Sequence, residues 1–219
     1  GAGAGAVAAS VAAVVSVAAA VADSAVAGVV TLAAAVRQEI GDVMLTQFKT
    51  IFRHLWLDAS DAQRTISPDM LQRLARRVAA SESRHTGQIR IYVEAALPMS
   101  YLWRLNSNNP MKTLIRQRAV MLFGKLRLWD TEHNNGVLIY LQLAEHAIEI
   151  VADRGVDRQV SAQQWQAMTK RMAGAFKGGL FEDGLTEAIG EVTSVLAAHF
   201  PSAPDGKNAN ELPDEPVLG

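Results

Sequence analysis

Three short stretches of the chain show the apolar pattern of β-strands. Within residues 88–94 every second residue is apolar, which places one side of an extended strand in a core. Residues 136–143 include a Val/Leu/Ile/Tyr run typical of a buried central strand, and residues 147–152 form a second run shortly after it. The tight connection between these last two stretches predicts an antiparallel hairpin.

Longer stretches between and around these strands carry apolar residues at helical spacing. Each is preceded by residues that favour the start of a helix. These start signals are Ser67-Pro68, Asn109-Pro110, the Ser161/Gln164 capping-box pattern and Asp183. Because helices and strands alternate, the pattern predicts an α/β fold: a three-layer α/β/α sandwich with a small mixed sheet that includes the antiparallel hairpin.

The hydropathy pattern also divides the chain into four parts. Residues 1–43 are an Ala/Val-rich segment, 44–65 are an amphipathic lead-in, and 66–200 are the predicted domain. Residues 201–219 form a tail rich in Pro, Asp, Asn and Glu, which is predicted to be disordered. The domain part is long enough to bury a core without disulfides or metals.

Two of these parts bear on membrane contact. Residues 1–43 are long enough to span a bilayer, but Ala, Gly and Ser contribute little to insertion, so a low-complexity tail is favoured over a weak membrane anchor. Residues 44–57 carry large apolar side chains that suit a membrane surface, a partner or, as the favoured interpretation, a helix that covers the domain. Membrane contact through residues 1–57 stays open, and a cytoplasmic or membrane-associated location is favoured.

Composition and charge narrow the function. The chain has no cysteine, which excludes disulfides and thiol nucleophiles, and its net charge of −1 argues against a general nucleic-acid binder. The helix predicted over 110–128 is basic and could meet anionic lipid or phosphate. A solvated face that is balanced by acidic residues elsewhere is the favoured interpretation of that helix.

Polar side chains cluster where one hairpin strand begins and the next strand ends. The first group is Asp130, His133, Asn134 and Asn135, and the second is Asp153 and Asp157. In an antiparallel pair these two strand ends lie at the same edge of the sheet. The sequence therefore predicts that the two groups can converge on one rim.

The rim residues offer the ligands that a hard cation prefers. The carboxylates of Asp130 and Asp153 and the amide oxygens of Asn134 and Asn135 suit calcium or magnesium, with an affinity on the order of millimolar because only two ligands are charged. The alternative is turn chemistry, in which Asp and Asn bond their own backbone. Arg154 can bind a phosphate through its planar fork or pair with a neighbouring carboxylate.

Several dispersed segments occur in an order that resembles a known family. They are Thr86-Gly87-Gln88-Ile89, Asn134-Asn135-Gly136-Val137-Leu138 and Phe181-Glu182-Asp183-Gly184-Leu185. Over roughly residues 66–200 this order resembles the TPM domain, which occurs in thylakoid-lumen and photosystem-repair proteins and in many bacterial proteins. The resemblance implies the same three-layer architecture. The family usually has Asp where this chain has Asn134, and Gly where it has Asp153.

Three functions follow from the resemblance and the residues. The favoured one is a non-enzymatic accessory domain that binds a partner protein or a membrane complex. The second is a metal-assisted phosphatase, with Asp130, Asp153 and Arg154 as its catalytic residues. Asn134, standing where the family has Asp, weighs against this second function. The third is a membrane-surface adaptor that acts through residues 44–57 and the basic helix 110–128.

Overall fold

The computed structural model describes residues 49–57, 59–202 and 210–219. Residues 51–219 form one compact unit, and this unit is described here. The Ala/Val-rich segment 1–43 and the first residues of the predicted lead-in lie outside the described residues. Within the described part of the chain, no helix is both long and apolar enough to cross a bilayer.

The unit contains eight helices and four strands in its described residues. In chain order they are α1 (residues 51–56), α2 (Ala59–Thr65), α3 (Pro68–Glu82), β1 (Gln88–Glu94), α4 (Met99–Leu102), α5 (Met111–Lys125), β2 (Gly136–Gln142), β3 (Ala147–Ala152), α6 (Arg154–Asp157), α7 (Ala162–Lys177), α8 (Phe181–His199) and β4 (Val217–Leu218). The three strands predicted from the sequence are confirmed as β1, β2 and β3, to within one residue.

The four strands form one mixed sheet in the order β3-β2-β1-β4. β1 runs parallel to β2, and β4 runs parallel to β1 at the sheet edge. β2 and β3 form the predicted antiparallel hairpin, with Ile139 opposite Ile150. The sheet therefore has two different edges, β3 on one side and the two-residue β4 on the other.

Each face of the sheet carries its own core, which confirms the predicted three layers. On one face Ile89, Ile91 and Val93 pack with apolar residues of α3, α7 and α8. On the other face Tyr92 and Tyr140 pack with residues of α4 and α5. The period-two alternation of β1 supplies both layers at once, because successive side chains of a strand point to opposite faces.

The helix starts agree with the sequence signals at two places. Ser67 accepts a hydrogen bond from the Met70 amide at 3.3 Å, with Pro68 at the first helical position. The capping box of Ser161 and Gln164 is complete, since each side chain bonds the other's backbone amide. Both contacts satisfy amides that the first helical turn leaves without partners.

Two predicted helix starts are wrong. Asn109 does not cap α5, because its amide is held in a tight turn with Asn106 and the position before the helix is Pro110. Asp183 lies inside the first turn of α8, whose N-cap position is Leu180. An acidic residue in the first turn is still favourable, because the amide end of a helix carries partial positive charge.

The C-terminal residues differ from the disorder that their composition predicts. Residues 210–219 lie along β1, and the Gln88 side-chain oxygen accepts hydrogen bonds from the Glu211 and Leu212 amides, each at 2.9 Å. Arg90 donates to the Pro213 carbonyl. Amino-acid composition does not predict this docking, because the contacts are made by the backbone of the segment. At the other end, α2 places Ala62 in the core shared with 66–200, although it belongs to the predicted lead-in.

Candidate functional site

The strand ends predicted to meet do lie together. Val137 pairs with Ala152, and the Asp153 amide donates to the Gly136 carbonyl at 2.8 Å. One residue further out, the Gly155 amide donates to the Asn134 carbonyl at 3.0 Å. The loop before β2 therefore rests on the start of α6. We call Asp130, Asn134, Asn135, Asp153 and Arg154 the hairpin rim.

Two glycines allow this close contact between backbones. A Cβ atom on Gly136 would lie 2.1 Å from the Leu128 carbonyl oxygen, and one on Gly155 would lie 2.4 Å from the Asn134 carbonyl oxygen. Neither obstacle is a flexible side chain, so substitution requires the backbone to move. The Asn-Gly and Arg-Gly pairs of the sequence thus mark the contact that builds the rim.

Asn135 is fully buried and only partly satisfied. Its amide nitrogen Nδ2 donates to Thr86 Oγ1, and its backbone amide donates to Thr131 Oγ1, both at 3.1 Å. Its side-chain oxygen Oδ1 is buried and has no hydrogen-bond partner among the described residues. A buried acceptor that lacks a donor destabilises the fold by about 1–3 kcal/mol, which favours a water molecule or a cation beside it.

Asp153 has the same feature. Its Oδ1 accepts the Arg154 backbone amide at 2.7 Å and caps α6, whereas its Oδ2 is buried with no partner in the described part of the chain. Asp153 lies opposite Gly136, so it belongs to the same face of the sheet as Val151. Asn135 belongs to the other face, together with Val137. The rim therefore holds two unsatisfied acceptors at adjacent positions of the hairpin.

The remaining rim side chains bond one another or their neighbours. Asp130 is half-exposed and forms an ion pair with Arg127 at 2.8 Å. Asn134 is in the left-handed region with φ of 52°, and its side-chain oxygen accepts from Arg154 Nε at 2.9 Å and Nη2 at 2.7 Å. His133 is exposed, as is Asp157 in α6. Among the described residues, no group of three or more His, Cys, Asp or Glu side chains is arranged to hold a metal ion.

A buried carboxyl lies near the start of β1. Glu82 accepts the Ile89 amide at 2.9 Å, and burial raises its pKa to about 7, with the neighbouring Asp214 adding to the rise. It is therefore not the plain solvated residue that its position near the end of α3 favours. Asp214 of residues 210–219 lies beside it, and no local sequence signal marks that contact.

Ser81 and His85 form a hydrogen-bonded pair, although no strained strand–turn–helix elbow in the sequence marks Ser81 as a nucleophile. The His85 ring donates from Nδ1 to the Gly87 carbonyl at 3.1 Å, so its Nε2 accepts the Ser81 hydroxyl at 3.1 Å. Both side chains are buried, and burial lowers the pKa of His85 to about 4. The pair joins the end of α3 to the start of β1 and gives a substrate no access to the hydroxyl.

The lead-in helix α1 presents its side chains in an unexpected way. His54 is buried, and its Nδ1 accepts the Leu97 amide at 3.0 Å while its Nε2 donates to Glu145 at 3.2 Å. The large apolar residues Phe52, Leu55 and Trp56 are instead 60%, 58% and 74% exposed. The helix is held by its polar residues, and these three side chains form what we call the α1 apolar patch.

A three-layer α/β sandwich with a polar hairpin rim defines the class of protein, and comparison gives the family. The sequence matches the TPM domain over residues 59–195, so the chain belongs to the TPM domain family. The fold is similar to the NMR structure of the BA42 protein from the psychrophilic bacterium Bizionia argentinensis, with a TM-score of 0.59 and 25% identity. That match covers 70% of this chain and 95% of the other. A search of curated proteins finds no match.

Proposed function

We propose that this chain is a TPM-type accessory domain that binds a partner protein through the α1 apolar patch. The observation that carries the proposal is the inverted helix, which is fixed by His54 while Phe52, Leu55 and Trp56 face solvent. Burying one such side chain in an interface contributes about 1.5–3 kcal/mol. Phe52 and Trp56 already contact each other, with ring centroids 5.4 Å apart, so the patch is partly ordered before binding.

The way in which the rim residues are used supports a non-enzymatic role. The Arg154 fork is occupied by Asn134, and Asp130 is paired with Arg127. Arg154 and Asp130 thus each have a protein partner to give up before they meet a substrate. The basic helix has comparable partners, because Arg116 and Arg118 of α5 pair with strand carboxylates.

Site-specific photo-crosslinking in cells tests the partner-binding proposal. A photoreactive residue replaces Trp56 in the full chain, and the matched control replaces Trp103, which is 82% exposed outside α1. We expect a protein adduct of discrete mass from position 56 and none of that mass from position 103. The same adducts from both positions would contradict the proposal. So would flotation of the wild type with anionic vesicles that Trp56→Glu abolishes, which would favour the membrane-surface adaptor.

A second function, metal-assisted phosphate-ester hydrolysis, is favoured by the two unsatisfied oxygens at the rim. In this proposal calcium or magnesium binds weakly at Asp130, Asn134, Asn135 and Asp153. Asp130, Asp153 and Arg154 would then act on the phosphate. A metal site of this kind supplies charge stabilisation and an activated water. The Oδ2 of Asp153 is the buried oxygen that such an ion would satisfy. The Oδ1 of Asn135 belongs to the opposite face of the hairpin and would need a ligand of its own.

Titration of the full chain with calcium and magnesium tests the rim site. We expect saturable amide chemical-shift changes at the rim with an affinity on the order of millimolar. They should disappear in Asp153→Asn, which keeps a helix-capping side chain and so preserves the fold. Asp130→Asn should weaken them. If no saturable shift appears up to roughly tens of millimolar, well above that affinity range, the rim serves turn chemistry and the phosphatase proposal fails.

A further inference from the structure

The free edge of β3 faces a groove, and the register shows which of its backbone groups point there. In an antiparallel pair, directly opposed residues alternate between exchanging hydrogen bonds and pointing their backbone groups away. The Asp153 amide donates to the Gly136 carbonyl, so these two residues form a bonded pair. Because bonded and outward-facing residues alternate along β3, the backbone groups of Ile148, Ile150 and Ala152 point away from β2.

A side-chain contact independently supports this assignment. Arg116 of α5 donates from Nη1 to the Ile150 carbonyl at 2.5 Å, which requires that carbonyl to face outward. The same nitrogen lies 3.4 Å from Glu149. No other described residue hydrogen-bonds the outward backbone groups of β3. Unpaired groups along an edge strand are a template for the addition of another strand.

The groove along this edge has the size and the walls of a peptide site. Its volume is about 1340 Å³, and its sides are formed by residues of α5 and α7 with the β3 edge between them. Trp165 of α7 lines it, and the indole nitrogen of Trp165 is buried with no acceptor among the described residues.

The charges that line the groove select among possible occupants. Its cationic residues are Lys112, Arg116, Arg158 and Lys170, and its acidic residues are Glu149 and Asp157. Arg116 and Glu149 pair with each other, which leaves an excess of positive charge. A second copy of this chain would bring the same cations against one another, whereas an acidic segment would neutralise them.

We propose that this groove binds an extended acidic segment of a partner protein, which adds to the sheet as a strand beside β3. The segment's backbone bonds Ile148, Ile150 and Ala152, and its carboxylates face the lysines of α5 and α7. Strand addition obtains affinity from backbone bonds and specificity from alternate side chains. This inference rests on the proposed partner-binding function and names the chemistry of one partner, at a surface separate from the α1 apolar patch.

Binding of a defined peptide to the full chain tests the proposal. The probe is a fluorescent peptide of about ten residues that alternates Val and Glu, and the control alternates Val and Lys. We expect saturable anisotropy for the Glu peptide, weakened by added salt, and none for the Lys peptide. Bound peptide should slow amide hydrogen exchange at Ile148, Ile150 and Ala152. Equal binding of both peptides, or no binding of either, would overturn the proposal.

Charge reversal at matched positions locates the site. The double variant Lys112→Glu/Lys170→Glu changes two exposed groove residues, and Lys125→Glu/Lys177→Glu changes exposed lysines on the same two helices outside the groove. We expect the first to weaken peptide binding by about tenfold or more and the second to leave it nearly unchanged. Equal effects of the two variants would show that net charge, not the groove, holds the peptide.

Other occupants give distinct results that overturn the proposal. Concentration-dependent dimerisation that protects the amides of 148–152 would assign the edge to a second copy of the chain. Full protection of these amides in the monomer without peptide would show that the chain itself covers the edge. If the peptide fails while the crosslink from position 56 persists, this inference fails and the partner-binding function stands. Loss of that crosslink with retained peptide binding would show the reverse.

Discussion

The two edges of the sheet differ in whether another segment of the chain lies along them. At one edge, residues 210–219 lie along β1, with Val217 and Leu218 in the ladder, and Gln88 and Arg90 hold the backbone of the segment. At the other edge, β3 faces an open groove, and Arg116 reaches back to the Ile150 carbonyl. In both places an arginine donates to a backbone carbonyl. Arg90 holds a carbonyl of the added segment, whereas Arg116 holds a carbonyl of the edge strand itself.

The occupied edge indicates what an added strand on this sheet needs. The segment 210–219 is acidic and extended, and only two of its residues form ladder pairs with β1. Side-chain contacts from Gln88 and Arg90 to its backbone make up for the short ladder. An acidic strand on β3 would use the same combination, with Arg116 moving from Ile150 to the incoming backbone. The following substitutions test how the two edges and the strands between them differ.

The largest effect is expected in the strand between the two edges. Ile139 of β2 is fully buried, and Ile139→Asp leaves an unpaired charge in the core at a cost of several kcal/mol, comparable with the stability of a small domain. We expect the domain to unfold, as seen by loss of the cooperative thermal transition. Ile150→Asp, its partner in the register, should unfold it too. A near-native melt for either variant would show that β2 and β3 are misplaced.

A pH-dependent effect is expected beneath the occupied edge. The pKa of Glu82 is about 7 in the folded chain against an ordinary 4.5, so the folded state retains an extra proton between these values. Stability therefore falls as the pH rises from about 4.5 to 7. The pKa of His85 shifts from 6.5 to about 4, which gives stability that rises with pH between those values. The two trends oppose each other where the windows overlap.

Glu82→Gln separates these two trends. The variant keeps an acceptor for the Ile89 amide but cannot ionise. We expect its free energy of unfolding, relative to the wild type, to grow by about 2–3 kcal/mol as the pH rises from 4.5 to 7. Denaturant melts at several pH values measure the difference. A constant difference across this range would contradict the burial of Glu82, which is the main cause of its raised pKa.

An intermediate effect is expected where the C-terminal segment is held. Gln88→Leu removes the buried acceptor of the Glu211 and Leu212 amides, which should destabilise the fold by about 1–3 kcal/mol. Amide exchange in residues 210–219 should accelerate more than exchange in β2. Gln163→Leu, on the exposed face of α7, is the control and should change neither quantity. Unchanged exchange in 210–219 would contradict the docking of that segment.

The smallest effect is expected at the open edge. The Ala152 amide points away from β2, so Ala152→Pro removes no sheet hydrogen bond, and edge strands tolerate proline at such positions. We expect a change in stability below about 1 kcal/mol, together with loss of strand addition. Val151→Pro removes an inward hydrogen bond and should cost about 3 kcal/mol or more. Similar costs for the two variants would show that the β3 register is wrong.

Local pattern was sufficient for the strands and for the layers of the sandwich. Ile89, Ile91 and Val93 alternate with Arg90 and Tyr92, and that alternation alone separates the two cores. The Ser161 capping box is equally local, because both of its members lie within one helical turn. Such features are decided by neighbours in sequence, so they can be predicted without knowledge of tertiary contacts.

Features decided by distant contacts could not be predicted. Glu82 lies beside Asp214 of the distant C-terminal segment, and α1 is inverted because His54 meets Leu97 and Glu145. At the rim, the sequence pattern correctly predicts that Asn134 and Asp153 lie at one edge of the sheet. It does not predict which hydrogen bonds their side chains form. Arg154 binding to Asn134 leaves two other oxygens unsatisfied, which is a matter of side-chain geometry.

The burial of Asn135 next to Gly136 has a consequence for the chemical ageing of the protein. An Asn-Gly pair loses ammonia readily when the glycine nitrogen attacks the asparagine side-chain carbonyl to form a succinimide. In the folded chain Asn135 is held by Thr86 and Thr131, and Gly136 begins a strand, so we expect that attack to be blocked. Deamidation should then proceed only in molecules that open. The resulting carboxylate would be buried and would hinder refolding. The fraction of deamidated protein would therefore report how often the molecules have unfolded.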